Sequence, residues 1–155
     1  MPIMKTIEGD LLSVKEGYIG QGVNCIGAMG SGVALAILQK YPVVLDKYKE
    51  MFKDVSVYDT HELLGKNQFV SVSYGLTVVN MFTQEKTGSS DQVVGQVAIS
   101  YDAIYNCFSR LNVMIPGEVL SIPMIGAGLG GGNWKIIEQI INETTPDVDV
   151  HVYVL

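Results

Sequence analysis

Short apolar runs and stripes of apolar positions spaced by three and four take turns along this chain. The runs at 4–7, 18–24, 69–73, 77–82, 119–123 and 148–155 carry Val, Ile, Phe or Tyr between Gly, Pro, Asn and Asp residues, so each is expected to be a strand. The third and fourth are joined through Tyr74-Gly75. Residues 31–41 are good helix formers interrupted by Pro42, and 43–52 read as a second helix beyond it. Residues 92–111 hold Ala98, Tyr101, Ile104, Tyr105, Phe108 and Leu111 on one stripe, and 134–144 hold Trp134, Ile137, Ile140 and Ile141 on another, which predicts two more helices. This interleaving predicts an α/β fold, a mixed sheet covered by helices on both faces, with ligands binding beyond the carboxyl ends of strands. No internal repeat, low-complexity tract or linker interrupts it.

Glycine sharpens the picture. The chain has 17 glycines, about 11% of its residues against an average near 7%. Six lie between Gly17 and Gly32 and five between Gly126 and Gly132. Dense glycine marks backbone that turns sharply or lies against something with no side chain between. The first cluster runs straight into the helix at 31–41. The second follows the strand at 119–123 and opens into the helix at 134–144. Both therefore set bare backbone N–H groups at or near the positive end of a helix, an arrangement that holds phosphate without lysines.

The chain is 155 residues long and 48% apolar, enough for one core without staple or metal. Ten basic against 16 acidic residues give a net charge of −6, a field that repels phosphate backbones and argues against general nucleic-acid binding. Cys25 and Cys107 form no disulfide framework, and with His61 and His151 they make no zinc pattern. Charges break the N-terminus before any apolar stretch reaches signal-peptide length, and the longest apolar run, 33–38, is too short to cross a bilayer. A cytoplasmic protein without membrane contact is expected.

Two nucleotide motifs are tested by these loops. Gly126-Ala-Gly-Leu-Gly-Gly131 satisfies G-x-G-x-x-G between a strand and a helix. In a dinucleotide fold the partner acid ends the next strand, but Asp149 sits at its start and six residues remain after it. Gly27-Ala-Met-Gly-Ser-Gly32 has P-loop glycine spacing, with Val33-Ala34 where Lys-Ser/Thr would hold the terminal phosphate and magnesium. Nicotinamide chemistry ranks last and ATP hydrolysis is disfavoured. What fits is a ligand with a diphosphate held between two loops.

Glu8-Gly-Asp-Leu-Leu12, Val23-Asn-Cys-Ile-Gly-Ala-Met-Gly-Ser-Gly-Val-Ala34, Asn80-Met-Phe-Thr-Gln84, Ile122-Pro-Met-Ile-Gly-Ala-Gly-Leu-Gly-Gly-Gly-Asn-Trp134 and Val152-Tyr-Val-Leu155 occur in the order and spacing of a macro domain, which the chain resembles over its whole length, 1–155. The resemblance is nearest to the ADP-ribose 1''-phosphate phosphatases and their viral and bacterial relatives. It implies a three-layer α/β/α sandwich with a mixed central sheet, an ADP-ribose ligand or a derivative of it, and no cofactor. By the same resemblance Asp10 accepts from the adenine amino group with Leu11 nearby, and Asn24 addresses the distal ribose. Gly30, Ser31, Gly32 and Val33 wrap one side of the diphosphate, and Gly126, Ala127, Gly128, Leu129 and Gly130 the other. Phe82 or Tyr153 flanks the adenine, and Thr83 and Pro123 complete the ligand-binding set. From the residues alone, Asp10 reads first as a turn or helix-cap residue and the aromatics as core, while Asn24 reads equally as a strand-end turn residue.

Relatives that release ADP-ribose by a lysine route carry a lysine after the strand ending Asn80-Met-Phe-Thr83 and an acid in the second glycine loop. Here those positions are Gln84 and Gly130, and Lys86 is two residues away. The resemblance thus implies hydrolysis of ADP-ribose 1''-phosphate by water attack, with Asn24 and Gln84 as the catalytic candidates. Asp91 and His61 are general-base candidates that read first as surface residues, and Cys25 reads as a packing residue. A reader or scavenger of ADP-ribose without turnover, or a hydrolase of another ADP-ribosyl or acetyl derivative, stays open.

Overall fold

The computed structural model describes residues 4–29, 32–53, 56, 59–85, 99–127 and 131–155. Six strands form one sheet: β1 Lys5–Glu8, β2 Gly17–Asn24, β3 Asn67–Ser73, β4 Leu76–Gln84, β5 Val119–Ile122 and β6 Asp149–Val154. Their order is β1-β6-β5-β2-β4-β3, with β3 antiparallel to β4 and every other pairing parallel. Four helices, α1 Gly32–Lys40, α2 Val43–Glu50, α3 Tyr101–Met114 and α4 Trp134–Thr144, complete a three-layer α/β/α sandwich.

The layers follow from the two-residue period of a strand buried on both faces. On β4, Val79 and Met81 join Leu120, Ile122, Val150 and Val152 beneath Ile104, Phe108 and Leu111 of α3 and Ile137 and Ile141 of α4. The alternate residues Val78 and Phe82 face the other way, with Ile19 and Val23 of β2, beneath Ile37 of α1 and Val44 and Tyr48 of α2. Among the described residues, no helix is long and apolar enough to cross a membrane.

Two local features position the ligand edge. The β2–β4 register shifts between Val23 and Asn24, so that Asn24 lies opposite Gln84 at the carboxyl end of both strands. The expected helix at 92–111 is corrected: α3 starts at Tyr101 and runs to Met114. Ser100 caps it by accepting from the Ala103 N–H at 3.1 Å. Ile99 does not continue the helix either; it bridges to Gln84. Residues 92–98 lie outside the described residues. Asn133 caps α4 through Lys135 N–H at 2.9 Å, and its own N–H donates to the Tyr101 hydroxyl at 3.0 Å, joining the amino ends of α3 and α4.

Candidate functional site

All five parallel strands end at one edge of the sheet, where the loops after β1, β2, β4 and β5 emerge beside one another. In an open α/β sheet, that edge is where ligands bind.

After β1, Asp10 leads into a one-turn 3₁₀ helix, Leu11–Ser13, and its Oδ1 accepts from the Leu12 N–H at 2.9 Å. The residue is exposed, and a carboxylate has a second oxygen for a further donor. Leu11 is buried under the turn. The Tyr153 ring lies beside Gly9, 3.9 Å from where a Cβ there would stand, so it adjoins Asp10. Phe82 does not: it is fully buried, stacked on Tyr48 with ring centroids 6.0 Å apart and tilted against Phe52 at 6.4 Å. Because β4 points Phe82 under α2, this ring has no face for an adenine, and its expected ligand role is corrected. Thr83 is buried as well; its carbonyl accepts the Ser100 N–H at 2.8 Å, a supporting contact.

After β2, Asn24 is 6% exposed, and its amide is engaged within its own loop. Oδ1 accepts from Ile26 N–H at 3.1 Å, Ala28 N–H at 3.2 Å and the Tyr48 hydroxyl at 2.7 Å, while Nδ2 donates to Ala28 O at 2.7 Å. The amide oxygen is saturated, and one N–H is left for anything outside the loop. Asn24 is thus first a staple of the turn. Burial, with a smaller push from the Glu85 charge, raises the adjacent Cys25 thiol to about 12, so it is no nucleophile at neutral pH. Beyond the turn, Gly32 begins α1 with φ +58°, and no described residue comes within 4 Å of where a Cβ would stand. Val33 is exposed beside it. Gly30 and Ser31 lie outside the described residues.

After β5, the chain makes two tight turns, with Ile125 N–H bonded to Pro123 O at 2.8 Å and Ala127 N–H to Met124 O at 3.3 Å. Gly132 N–H then bonds to Gly126 O at 2.7 Å and closes the loop at its base. A Cβ on Gly132 would stand 2.8 Å from that same oxygen, which is why the closure needs glycine. Gly128, Leu129 and Gly130, at the tip, lie outside the described residues, as do Lys86 and Asp91.

Gln84 is half-buried at the end of β4, opposite Asn24. Glu85 follows it: its carbonyl accepts the Cys25 N–H at 3.1 Å, and its exposed carboxylate is close enough to act on the Cys25 thiol. His61 is exposed on the one-turn helix Thr60–Leu63 that leads into β3. The described residues thus bring Asp10, Leu11, Tyr153, Asn24, Gln84, Gly32, Val33, Pro123, Gly126 and Ala127 to one edge.

Two residues of this edge escaped sequence reasoning. Tyr48 sits one turn after Val44 on the buried stripe of α2 and reads as plain core; the need of a buried phenol for a partner is its only signal. Glu85 is an acid directly after a strand at the carboxyl edge, overlooked beside the expected lysine position at 84.

No family model matches the chain. It is 31% identical to an uncharacterized 17.5 kDa protein of Enterobacteria phage T4, over 96% of this chain and 94% of that one. It is 25% identical to a DNA ADP-ribosyl glycohydrolase of Mycobacterium tuberculosis, over 94% of this chain but 40% of that protein. An ADP-ribose 1''-phosphate phosphatase of Debaryomyces hansenii is 23% identical, over 99% of each chain. Among solved structures, a protein of unknown function from Bacteroides thetaiotaomicron superposes with a TM-score of 0.84 at 31% identity, over 99% of both chains. A macrodomain protein from Streptomyces coelicolor superposes with a TM-score of 0.76 at 27% identity, over 98% of this chain and 99% of that one.

Proposed function

The chain belongs to the macrodomain family, and from that premise we propose that its carboxyl edge binds ADP-ribose and that the protein hydrolyses ADP-ribose 1''-phosphate to ADP-ribose and phosphate. The observation that carries the binding half is Gly32. A left-handed glycine with its Cα uncovered by any described residue, at the head of a nine-residue helix, suits a phosphate against bare backbone. Asp10 and Tyr153 on one side of it suit an adenine, and the Asn24 turn suits a ribose.

For the chemistry, Gln84 stands where a lysine-adduct route would need an amine, which favours water attack. Water forms the new bond to phosphorus, and the bond from phosphorus to the distal ribose oxygen breaks. The water proton passes to Glu85 and from there, through solvent, to the leaving oxygen, which becomes the ribose hydroxyl and leaves Glu85 ionised again. Gln84 orients the water. The second reading, a reader without turnover, is favoured by one feature: the Asn24 amide oxygen and the amides beside it are used within the loop and are not free to stabilise charge at the distal phosphate.

The experiment is calorimetric titration with ADP-ribose, then addition of ADP-ribose 1''-phosphate to the same sample with an assay for released phosphate. Binding with release supports the phosphatase. Binding without release supports the reader or a hydrolase of another derivative, and no binding removes the ADP-ribose assignment altogether.

A further inference from the structure

Two backbone donors in the turn after β2 are aimed into the protein. Ile26 N–H and Ala28 N–H reach Asn24 Oδ1 at 3.1 and 3.2 Å. Tyr48 is fully buried, with Phe52 edge-on to it at 5.2 Å and Phe82 stacked beneath. Its hydroxyl carries one hydrogen, which goes to Asn24 Oδ1 at 2.7 Å or Asn24 O at 2.8 Å, so the phenol donates to the same strand-end residue whose amide oxygen gathers the turn.

The height of that phenol is set by a second polar feature. Gln21, Asn80 and Gln68 occupy neighbouring strands in register, Gln21 opposite Asn80 and Asn80 opposite Gln68. Gln21 Nε2 donates to Asn80 Oδ1 at 2.8 Å, Asn80 Nδ2 to Gln68 Oε1 at 3.0 Å, and Gln68 Nε2 to the carbonyl of Lys47 at 2.7 Å. Lys47 is the residue before Tyr48. The ladder lies mostly in the core and leaves Gln21 Oε1 buried without a partner. Three apolar side chains would avoid that cost, but they would let α2 slide.

We infer that Tyr48 is a positioning residue of the ligand edge: hung from the sheet by the Gln21–Asn80–Gln68 ladder, its hydroxyl fixes the Asn24 amide, which turns the amides of residues 26 and 28 inward. Anion recognition by this loop therefore begins beyond Ala28, at the head of α1. The residue acts through the turn and does not touch the ligand. The affinity readout below rests on the ADP-ribose proposal; the exchange readout does not.

Tyr48→Phe removes the hydroxyl and keeps the ring against Phe52 and Phe82. In the wild type, hydrogen exchange should find the amides of 26 and 28 protected although they lie in a turn. In the variant their exchange should quicken at least tenfold while amides in the middle of β2 and β4 keep their rates. ADP-ribose affinity should fall at least tenfold, with AMP, which lacks the second phosphate and the distal ribose, changed less than twofold. Open-loop exchange of these amides in the wild type overturns the inference even if the variant does not fold, as does a variant with unchanged exchange. Unchanged ADP-ribose affinity in a variant with loosened amides overturns the positioning role. If the wild type ignores ADP-ribose yet its amides are protected and respond to the substitution, the ligand assignment falls and the inference about the turn stands.

Discussion

Replacing Gly32 by alanine separates a backbone cost from a ligand cost. Gly32 has φ +58°, a region that costs an L residue about 1–2 kcal/mol, and no described residue lies within 4 Å of the added Cβ. The free protein therefore bears only the backbone strain. For a chain of this length roughly 2–4 °C accompanies each kcal/mol, so Tm should fall by roughly 2–8 °C with unfolding still cooperative. Bound phosphate changes the outcome, because the methyl then occupies the space the anion needs. Overpacking of that kind costs about 1–3 kcal/mol, which lowers ADP-ribose affinity by roughly 5- to 150-fold. Gly75→Ala is the matched control. Gly75 has φ +79° and an equally open Cβ, but it lies in the β3–β4 turn at the opposite end of β4. It should lose similar stability and keep wild-type affinity. Calorimetry and thermal melts on the two variants decide the matter. Wild-type affinity in Gly32→Ala would mean that no phosphate sits over this glycine, and equal loss of affinity in both variants would mean that the effect is general destabilisation.

Asp10→Asn keeps an oxygen to cap Leu12 N–H but presents an N–H toward the adenine amino group; Tm should hold, and ADP-ribose binding should weaken by about 1.5–3 kcal/mol in titration calorimetry. Retained affinity would remove Asp10 from the adenine site. Glu85→Gln should cut release of phosphate from ADP-ribose 1''-phosphate by about 100-fold or more without changing the Kd for ADP-ribose, and turnover within threefold of wild type would strip Glu85 of the base role. Burial raises Cys25 and Cys107 to about 12, so both remain protonated in the folded state after an unfolded thiol has ionised. Their stabilisation is complete below about pH 8.5 and is lost as pH climbs toward 12. Urea midpoints should fall between pH 8 and pH 11, and iodoacetamide should label neither thiol of the folded protein at pH 8; rapid labelling of Cys25 would contradict its assignment as a packing residue.

Features set by local backbone chemistry were legible in the chain, and features set by a distant partner were not. The alternation of strand and helix follows from apolar spacing, and the glycine loops follow because left-handed backbone and close approach leave a compositional mark, as at Gly32 and Gly132. The start of α3 was misplaced because Ala98 continues the helical spacing of Tyr101, Ile104 and Tyr105, while the decision rests on the Ser100 cap and on the bridge of Ile99 to Gln84, fifteen residues earlier in the chain. Phe82 was ambiguous for a different reason. Val78 and Phe82 alternate with Val79 and Met81 on a strand buried on both faces, so the pattern assigns parity without saying which face meets solvent or ligand.

Asn24 is the sharpest instance. An asparagine at the end of a strand and the head of a glycine loop has the right chemistry both for a ribose and for its own turn, and nothing within several residues of it chooses between them. The choice is made by Tyr48, through a single hydroxyl that engages the Asn24 amide oxygen to which residues 26 and 28 direct their N–H groups. Because that phenol sits on the buried stripe of α2, it looks like packing until the fold brings it under the loop. A polar residue in a ligand loop is therefore assigned by finding which buried groups already claim its hydrogen bonds. For this protein the claim on Asn24 moves anion recognition toward α1, and leaves chemistry at the distal ribose to the residues after β4.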